Sequence, residues 1–472
     1  MALRQVSPLD AAWLMLESRD TPMHVAGLFE FSLPQDAPAD YLANEVAAMR
    51  AARSIPPPWN LRLFDGPIVG TRLPLMQDDR DLDAEYHVRH SALPHPGGQR
   101  ELGALVSRLH SHPLDLRRPL WEVHVIEGLE HDRFALYMKM HHSIIDGVSG
   151  MRMIMRAFSP DPTETEMAPF WTVPAGTRRR RESTTSALGR LTDRARSSAT
   201  GVTGLGRAGL ALARASIGGQ DLQAPYRTVG SVLDGRLAGQ RRLATQQYDL
   251  ARVKALASTA DCSLNDIVLY LCGTALRRYL SEHSQLPPRS LTAGIPVSLR
   301  DASDESLGGT AIAIMVATLG TNIADPGARL AAICASTTEA KRHLKNLPAP
   351  ARPYYTLLVN GPWITGLLAG LGGSAPVPFN VAISNVPGPP ETLYFNRARL
   401  EAVHPMSLLL HGNALNITCV SYAGTLNFGF TGARDSLPHL QRLAVYTGQA
   451  LEELEAVISP STRTSRRARS SA

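Results

Sequence analysis

The sequence predicts a two-domain α/β protein, and three observations predict it. The chain of 472 residues exceeds the size at which one hydrophobic core keeps growing. Strand-like and helix-like patterns alternate in both halves. Between the halves lies a stretch rich in Pro, Gly, Ser and Arg with neither periodicity. The expected division is a first α/β half at 1–160, a basic linker with a helix at 161–240, a second α/β half at 241–460 and a disordered tail at 461–472.

Residues 25–31 have strand character, and 102–112 carry apolar residues at helical spacing. Residues 121–126 and 133–140 are again strand-like, which makes the first half mixed α/β. In the linker, four arginines at 178–181 precede an expected helix over 186–217, with leucines set among further arginines. Such a helix suits either a membrane surface or a solvated connector packed across both halves. Residues 204–209 match G-x-G-x-x-G, but no strand precedes them and no acidic residue follows at the required distance, so a dinucleotide site is not expected.

The second half resumes with a helix at 264–279 and strands near 291–296, 311–319 and 413–422. An uncharged stretch at 353–390 is interrupted by Pro362 and by Gly361, Gly366 and Gly370. A spanning helix needs about 20 consecutive apolar residues. The stretch therefore predicts a hairpin of short helices, buried or facing lipid.

Composition narrows the function classes. With 44% hydrophobic and 19% charged residues, the chain is neither disordered nor a multi-span membrane protein. The net charge of +6 comes almost wholly from arginine, the only lysines being Lys139, Lys254, Lys341 and Lys345. Such a balance suits anionic lipid heads, cofactor phosphates or nucleic acid, and does not choose among them. The four cysteines form no C-x-x-C pair and have no histidine at ligand spacing, so free thiols and no metal site are expected. Residues 1–20 lack a basic segment followed by an apolar run, and no secretory signal is expected.

The chemistry is concentrated at His141-His142-Ser143-Ile144-Ile145-Asp146-Gly147. Residues 134–140 should form a strand, and Gly147 should open the next helix, so two histidines stand where the strand ends. A histidine with a pKa near about 6.5 is largely neutral and basic at neutral pH. His142 is thus a candidate to take the proton of an alcohol as its oxygen attacks a thioester carbonyl. His141 has a positional role in this reading, and Asp146 pairs with an arginine to shape the turn. The chain has no G-x-S-x-G elbow, so a serine acyl-enzyme is not expected.

This segment resembles the H-H-x-x-x-D-G motif of the coenzyme A-dependent acyltransferase superfamily, which includes peptide-synthetase condensation domains and chloramphenicol acetyltransferase. Further blocks are similar to the bacterial wax ester synthase/diacylglycerol acyltransferase family. They are Ser7-Pro8-Leu9-Asp10 with Pro22-Met23-His24-Val25, Pro113-Leu114-Asp115, Arg118-Pro119-Leu120-Trp121-Glu122, Asn265-Asp266, Pro296-Val297-Ser298-Leu299-Arg300 and Ser384-Asn385-Val386-Pro387-Gly388-Pro389. The similarity runs in order from Ser7 to about Glu455.

The resemblance implies two chloramphenicol-acetyltransferase-like α/β domains with the active-site channel between them. It implies direct transfer from long-chain acyl-CoA, a co-substrate, to diacylglycerol or a fatty alcohol, with no resident cofactor and no nucleic-acid partner. The expected location is cytoplasmic, peripheral to the inner membrane or lipid bodies. Arg- and Ala-rich composition, typical of actinobacterial coding DNA, tilts the acceptor toward diacylglycerol. Pro119, Trp121, Gly147, Asn265, Asp266, Ser384 and Asn385 become candidates for substrate binding or structural support.

Each candidate also has a packing explanation. Ser263 three residues before Asp266 is a capping box. Trp121 is a natural core anchor, and Ser384-Asn385 reads equally as the entry to a rigid Pro-Gly-Pro turn or as polar donors beside the channel. Two departures from the family pattern, Gly309 and Leu410-His411, bear on substrate preference. A condensation-type enzyme using carrier-protein thioesters and a non-catalytic lipid-body protein remain as alternatives.

Overall fold

The computed structural model describes residues 3–6, 8–64, 74–145, 147–172, 222–298, 312–347 and 352–458. The first half begins with β1 (Arg4–Gln5), α1 (Pro8–Leu16), β2 (His24–Ser32), α2 (Tyr41–Ala51), β3 (Leu61–Leu63) and β4 (Leu75–Asp78). It continues with α3 (Ala84–His87), β5 (Val88–Ala92), α4 (Gln99–Ser111), β6 (Trp121–Leu129), β7 (Arg133–His141) and α5 (Gly147–Arg156).

The second half comprises β8 (Arg241–Asp249), α6 (Leu250–Thr259), α7 (Leu264–His283), β9 (Thr292–Ser298), β10 (Ile312–Thr318), α8 (Pro326–Lys345) and α9 (Arg352–Leu368). After these come β11 (Val381–Pro387), β12 (Tyr394–Phe395), β13 (Ala398–Met406), β14 (Leu415–Tyr422), β15 (Thr425–Ala433) and α10 (Gln441–Ile458). The expected helix at 186–217, the glycine motif at 204–209, Gly309 and the tail at 461–472 lie outside the described residues.

Two six-stranded sheets organise the molecule, in the orders β12-β13-β2-β7-β6-β5 and β10-β9-β11-β14-β15-β8. A small sheet, β1-β4-β3, sits beside the first. The expected α/β architecture is present, with one exchange between halves. Strand β13, from late in the chain, joins the first sheet by pairing with β2, as in Val403 opposite Phe29. The 241–460 span therefore contributes to both sheets. Where β13 crosses β15, a Cβ on Gly429 would lie 1.8 Å from the Pro405 carbonyl oxygen, so only glycine fits.

Both faces of the first sheet are covered, which explains why β7 is apolar along nearly its whole length. Phe134, Leu136, Met138 and Met140 enter one core cluster, and Ala135 and Tyr137 face a second that includes Leu102 and Val106 of α4. By the same alternation, Lys139 and His141 lie on the α4 side. The second sheet packs against α6, α7, α8 and α10 around a separate core.

The uncharged stretch differs from its expected form. Helix α9 continues through Pro362 instead of breaking into a hairpin. The Tyr226 hydroxyl enters the weakened turn, donating to the Val359 carbonyl at 2.6 Å and accepting the Trp363 N–H at 3.2 Å. It thereby bridges an opening in the ladder that proline would otherwise make costly. Among the described residues, no helix is long and apolar enough to cross a membrane.

Candidate active site

Strand β7 runs antiparallel to β2 with His141 opposite His24, and the chain turns immediately afterwards. Both ends of this turn are held by backbone bonds, His141 N–H to the Leu120 carbonyl at 2.9 Å and His142 N–H to the Met23 carbonyl at 2.8 Å. The two neighbouring histidines are consequently fixed but differently placed.

His141 is buried. Its Nδ1 accepts the Ser143 N–H at 3.1 Å, with the Ser143 hydroxyl at 2.7 Å. The proton therefore belongs on Nε2, which faces the Glu17 carboxylate at 3.4 Å. The same carboxylate oxygen accepts the Met23 N–H. His142 is only half-buried, and its ring lies 4.4 Å from the Trp13 indole. Trp13 packs into a cluster with Met23, Trp363 of α9, Phe379 and Leu410. Asp146 lies outside the described residues, while Gly147 opens α5 as expected.

Beneath α4 the same sheet face carries a buried polar layer. His24 donates from Nε2 to the His110 carbonyl at 2.9 Å. His110 donates from Nε2 to the Ser407 carbonyl at 3.0 Å, and its Nδ1 accepts the Tyr137 hydroxyl at 2.8 Å. Lys139, 2% exposed, donates to the carbonyls of Leu109 and His112 and sits 3.3 Å from Glu122. A cation at those carbonyls complements the C-terminal end of α4. Burial alone would raise the Glu122 pKa; the His124 hydrogen bond and the charges of Lys139 and Arg89 outweigh it and hold the group at about 2.

Residues 6–268 match the model of the wax ester synthase/diacylglycerol acyltransferase catalytic domain, and 308–455 match that of the WS/DGAT C-terminal domain. The chain belongs to the wax ester synthase/diacylglycerol acyltransferase family. It is 41% identical to a Mycobacterium tuberculosis protein named "Probable diacyglycerol O-acyltransferase tgs2", covering 96% of this chain and 98% of that one. It is 36% identical to the O-acyltransferase WSD of Acinetobacter baylyi, covering 97% and 98%. Among solved structures, the wax ester synthase/diacylglycerol acyltransferase from Marinobacter aquaeolei superposes with a TM-score of 0.77 at 36% identity, covering 96% of this chain and 99% of that one. The first condensation domain of the CDA synthetase superposes at 0.60 with 16% identity over 97% of both chains, which shares the fold alone.

The remaining candidates of this acyltransferase-family chain divide by location. Pro119 is buried, and its carbonyl accepts the Trp121 N–H at 2.9 Å. Trp121 donates from Nε1 to the Trp59 carbonyl at 2.8 Å and stacks against His87 and Trp171, which makes it a core anchor. Asp266 completes the capping box with Ser263 and accepts the Thr337 hydroxyl at 2.7 Å, joining α7 to α8. Asn265 is half-buried on the first turn of α7.

Ser384 and Asn385 do not end their strand, as the sequence suggested. They lie within β11 opposite Thr418 and Cys419, because parallel pairing with β14 extends to Pro387. His411, in one of the two departures from the family pattern, is tied into the structure: its Nδ1 accepts the Leu237 N–H at 3.0 Å and its carbonyl accepts the Trp363 indole N–H at 3.3 Å. His24, which the sequence showed only as part of the Pro22-Met23-His24-Val25 block, belongs to the buried layer behind the site. Trp13 and Glu17 had no distinguishing pattern in the sequence. Among the described residues, no group of three His, Cys, Asp or Glu is placed to hold a metal ion.

Proposed function

We propose that this protein transfers the acyl group of a long-chain acyl-CoA to the hydroxyl of diacylglycerol, and also to long-chain alcohols, with His142 as general base. The relatives' names support O-acyl transfer and both acceptor classes. The observation that carries the assignment of the base is the unequal placement of the two histidines. His141 has its ring committed to Ser143 and Glu17 inside the protein, whereas His142 is half-buried at the turn and can meet a substrate.

In this reading His142 takes the acceptor's proton as the hydroxyl oxygen attacks the thioester carbonyl. Collapse of the tetrahedral intermediate breaks the carbon–sulfur bond, and the proton passes to the departing thiolate to give coenzyme A. Acyl-CoA is a co-substrate, and the step uses no resident cofactor.

Lipid acceptors fit the α1 and α9 side of the site. Of the eight large hydrophobic residues exposed among the described residues, Met15, Leu357, Leu358, Leu368 and Leu371 lie on α1, on α9 or just after it. These two helices pack on one another, and Trp13 and Trp363 lead inward from them toward His142. The protein then works peripherally, on the cytoplasmic surface of a membrane or lipid droplet.

The test offers labelled palmitoyl-CoA with diacylglycerol and hexadecanol to the wild type and to His142→Ala. Wild type should yield triacylglycerol in excess over wax ester, and the variant should lose more than about a hundredfold in rate. Transfer only from carrier-bound acyl groups would replace this reading with condensation chemistry. Lipid binding with no transfer from any donor would make the protein non-catalytic.

A further inference from the structure

A groove of about 710 Å³ runs between α4 and α10, with β8 and Met406 contributing to its floor. Five arginines line it and no carboxylate does. Arg241 is already committed, donating to the carbonyls of Ala238 and Asp20, and Arg434 lies beside Asp435. Arg100, Arg108 and Arg242 supply the remaining charge. Arg100 and Arg108 are eight residues apart on α4, which sets them on one stripe about 12 Å long. The Nε of Arg242 is buried and makes no hydrogen bond among the described residues. A buried donor left in that state is costly.

The groove also has a defined relation to the catalytic turn. At its inner end the Ser111 hydroxyl accepts the Arg241 N–H at 2.8 Å. The neighbouring His110 carbonyl accepts from His24, which stands opposite His141. The Arg241 guanidinium reaches the Asp20 carbonyl, in the segment leading to Met23, whose carbonyl holds His142. The groove thus opens on the sheet face that carries His141, whereas the exposed Leu357, Leu358, Leu368 and Leu371 belong to α9 and its following turn.

We propose that this groove seats the phosphorylated nucleotide end of the acyl-CoA donor, an assignment that rests on the donor reading given above. Coenzyme A has a diphosphate and a separate ribose phosphate, so its charges are spread along the molecule as the guanidinium groups are along the groove. Its thioester lies at the far end of a pantetheine arm, and the nucleotide must therefore bind away from His142. A concavity lined by arginines and by no carboxylate suits a small phosphorylated ligand better than a flat bilayer.

The experiment uses the full chain carrying Arg100→Glu and Arg108→Glu, two exposed positions on α4. KM for palmitoyl-CoA should rise at least about tenfold, the loss expected when one or two charge-assisted hydrogen bonds are removed. With palmitoyl-pantetheine, which has no phosphates, the two proteins should have KM values within about twofold. Calorimetric titration with coenzyme A should show the same weakening, and it does so even if no acceptor is turned over, which separates failure here from failure of the transferase reading. Equal loss with both donors, or an unchanged dissociation constant, would overturn the assignment. Weakened binding to phosphatidylglycerol vesicles with coenzyme A binding intact would overturn it in favour of a lipid phosphate.

Discussion

Glu17 holds the two sides of the His141-His142 turn with one oxygen. That oxygen accepts the Met23 N–H and faces His141 Nε2, and the Met23 carbonyl in turn fixes His142. Glu17→Ala should lower kcat by roughly ten- to hundredfold, since small displacements of a reacting group carry penalties of that order. KM should change little. Glu17→Gln retains an acceptor for the Met23 N–H and should keep most of the lost rate, which steady-state kinetics on the three proteins would reveal. Full kcat in Glu17→Ala would mean that the turn needs no carboxylate. The placement of the His141-His142 pair was legible in the sequence because its motif is local, a strand end, a glycine and a helix within seven residues. Glu17 was not, because His141 comes from a strand far along the chain and nothing near Glu17 marks it. Lys139 gave an intermediate signal: a lone charge in an apolar strand implies buried partners without naming them.

At the scale of elements, periodicity located the strands and helices correctly where one physical force dominates. Helix α7 is an example, since Ser263 and Asp266 cap it as their spacing indicates and its apolar run extends to His283. Helix α9 is the opposite case. Its proline and glycines argue for breakage, and what restores continuity is the hydroxyl of Tyr226, well over a hundred residues upstream and invisible to any local pattern. Continuity lets α9 present Leu357 and Leu358 to solvent while Val359 and Trp363 turn inward. If that exposed surface meets lipid, Leu357→Asp with Leu358→Asp should reduce co-flotation with vesicles by more than about tenfold, because burying each leucine contributes about 1.5–3 kcal/mol. Exposed positions should leave the melting temperature nearly unchanged. Equal flotation of variant and wild type would exclude this face as the contact.

Strand β13 ties the two sheets together, pairing within the first and packing against β14 and β15 of the second. Gly429 permits the close crossing at Pro405, His404 donates from Nδ1 to the Phe428 carbonyl at 3.0 Å, and His110 on α4 donates to Ser407 just beyond β13. Chain order alone could not reveal this exchange, and no strand was expected from the sequence at 398–406. The crossing also makes the junction acid-sensitive. His110 is neutral by geometry, with one ring nitrogen donating to a carbonyl and the other accepting a hydroxyl. Burial is the main cause that pushes its pKa from 6.5 to about 3. Between those values the unfolded chain binds a proton that the folded chain refuses, so this contribution is complete above pH 6.5 and is lost as pH falls toward 3. Glu122 acts in the same direction lower down, its stabilisation being lost as pH falls from 4.5 toward 2. The melting temperature should therefore hold from pH 7.5 to about pH 6.5 and drop as pH falls further toward 5. His110→Gln, which keeps a donor but cannot ionise, should melt lower at pH 7.5 and lose less on acidification. Parallel decline of the two proteins would show that protonation of His110 does not govern the junction.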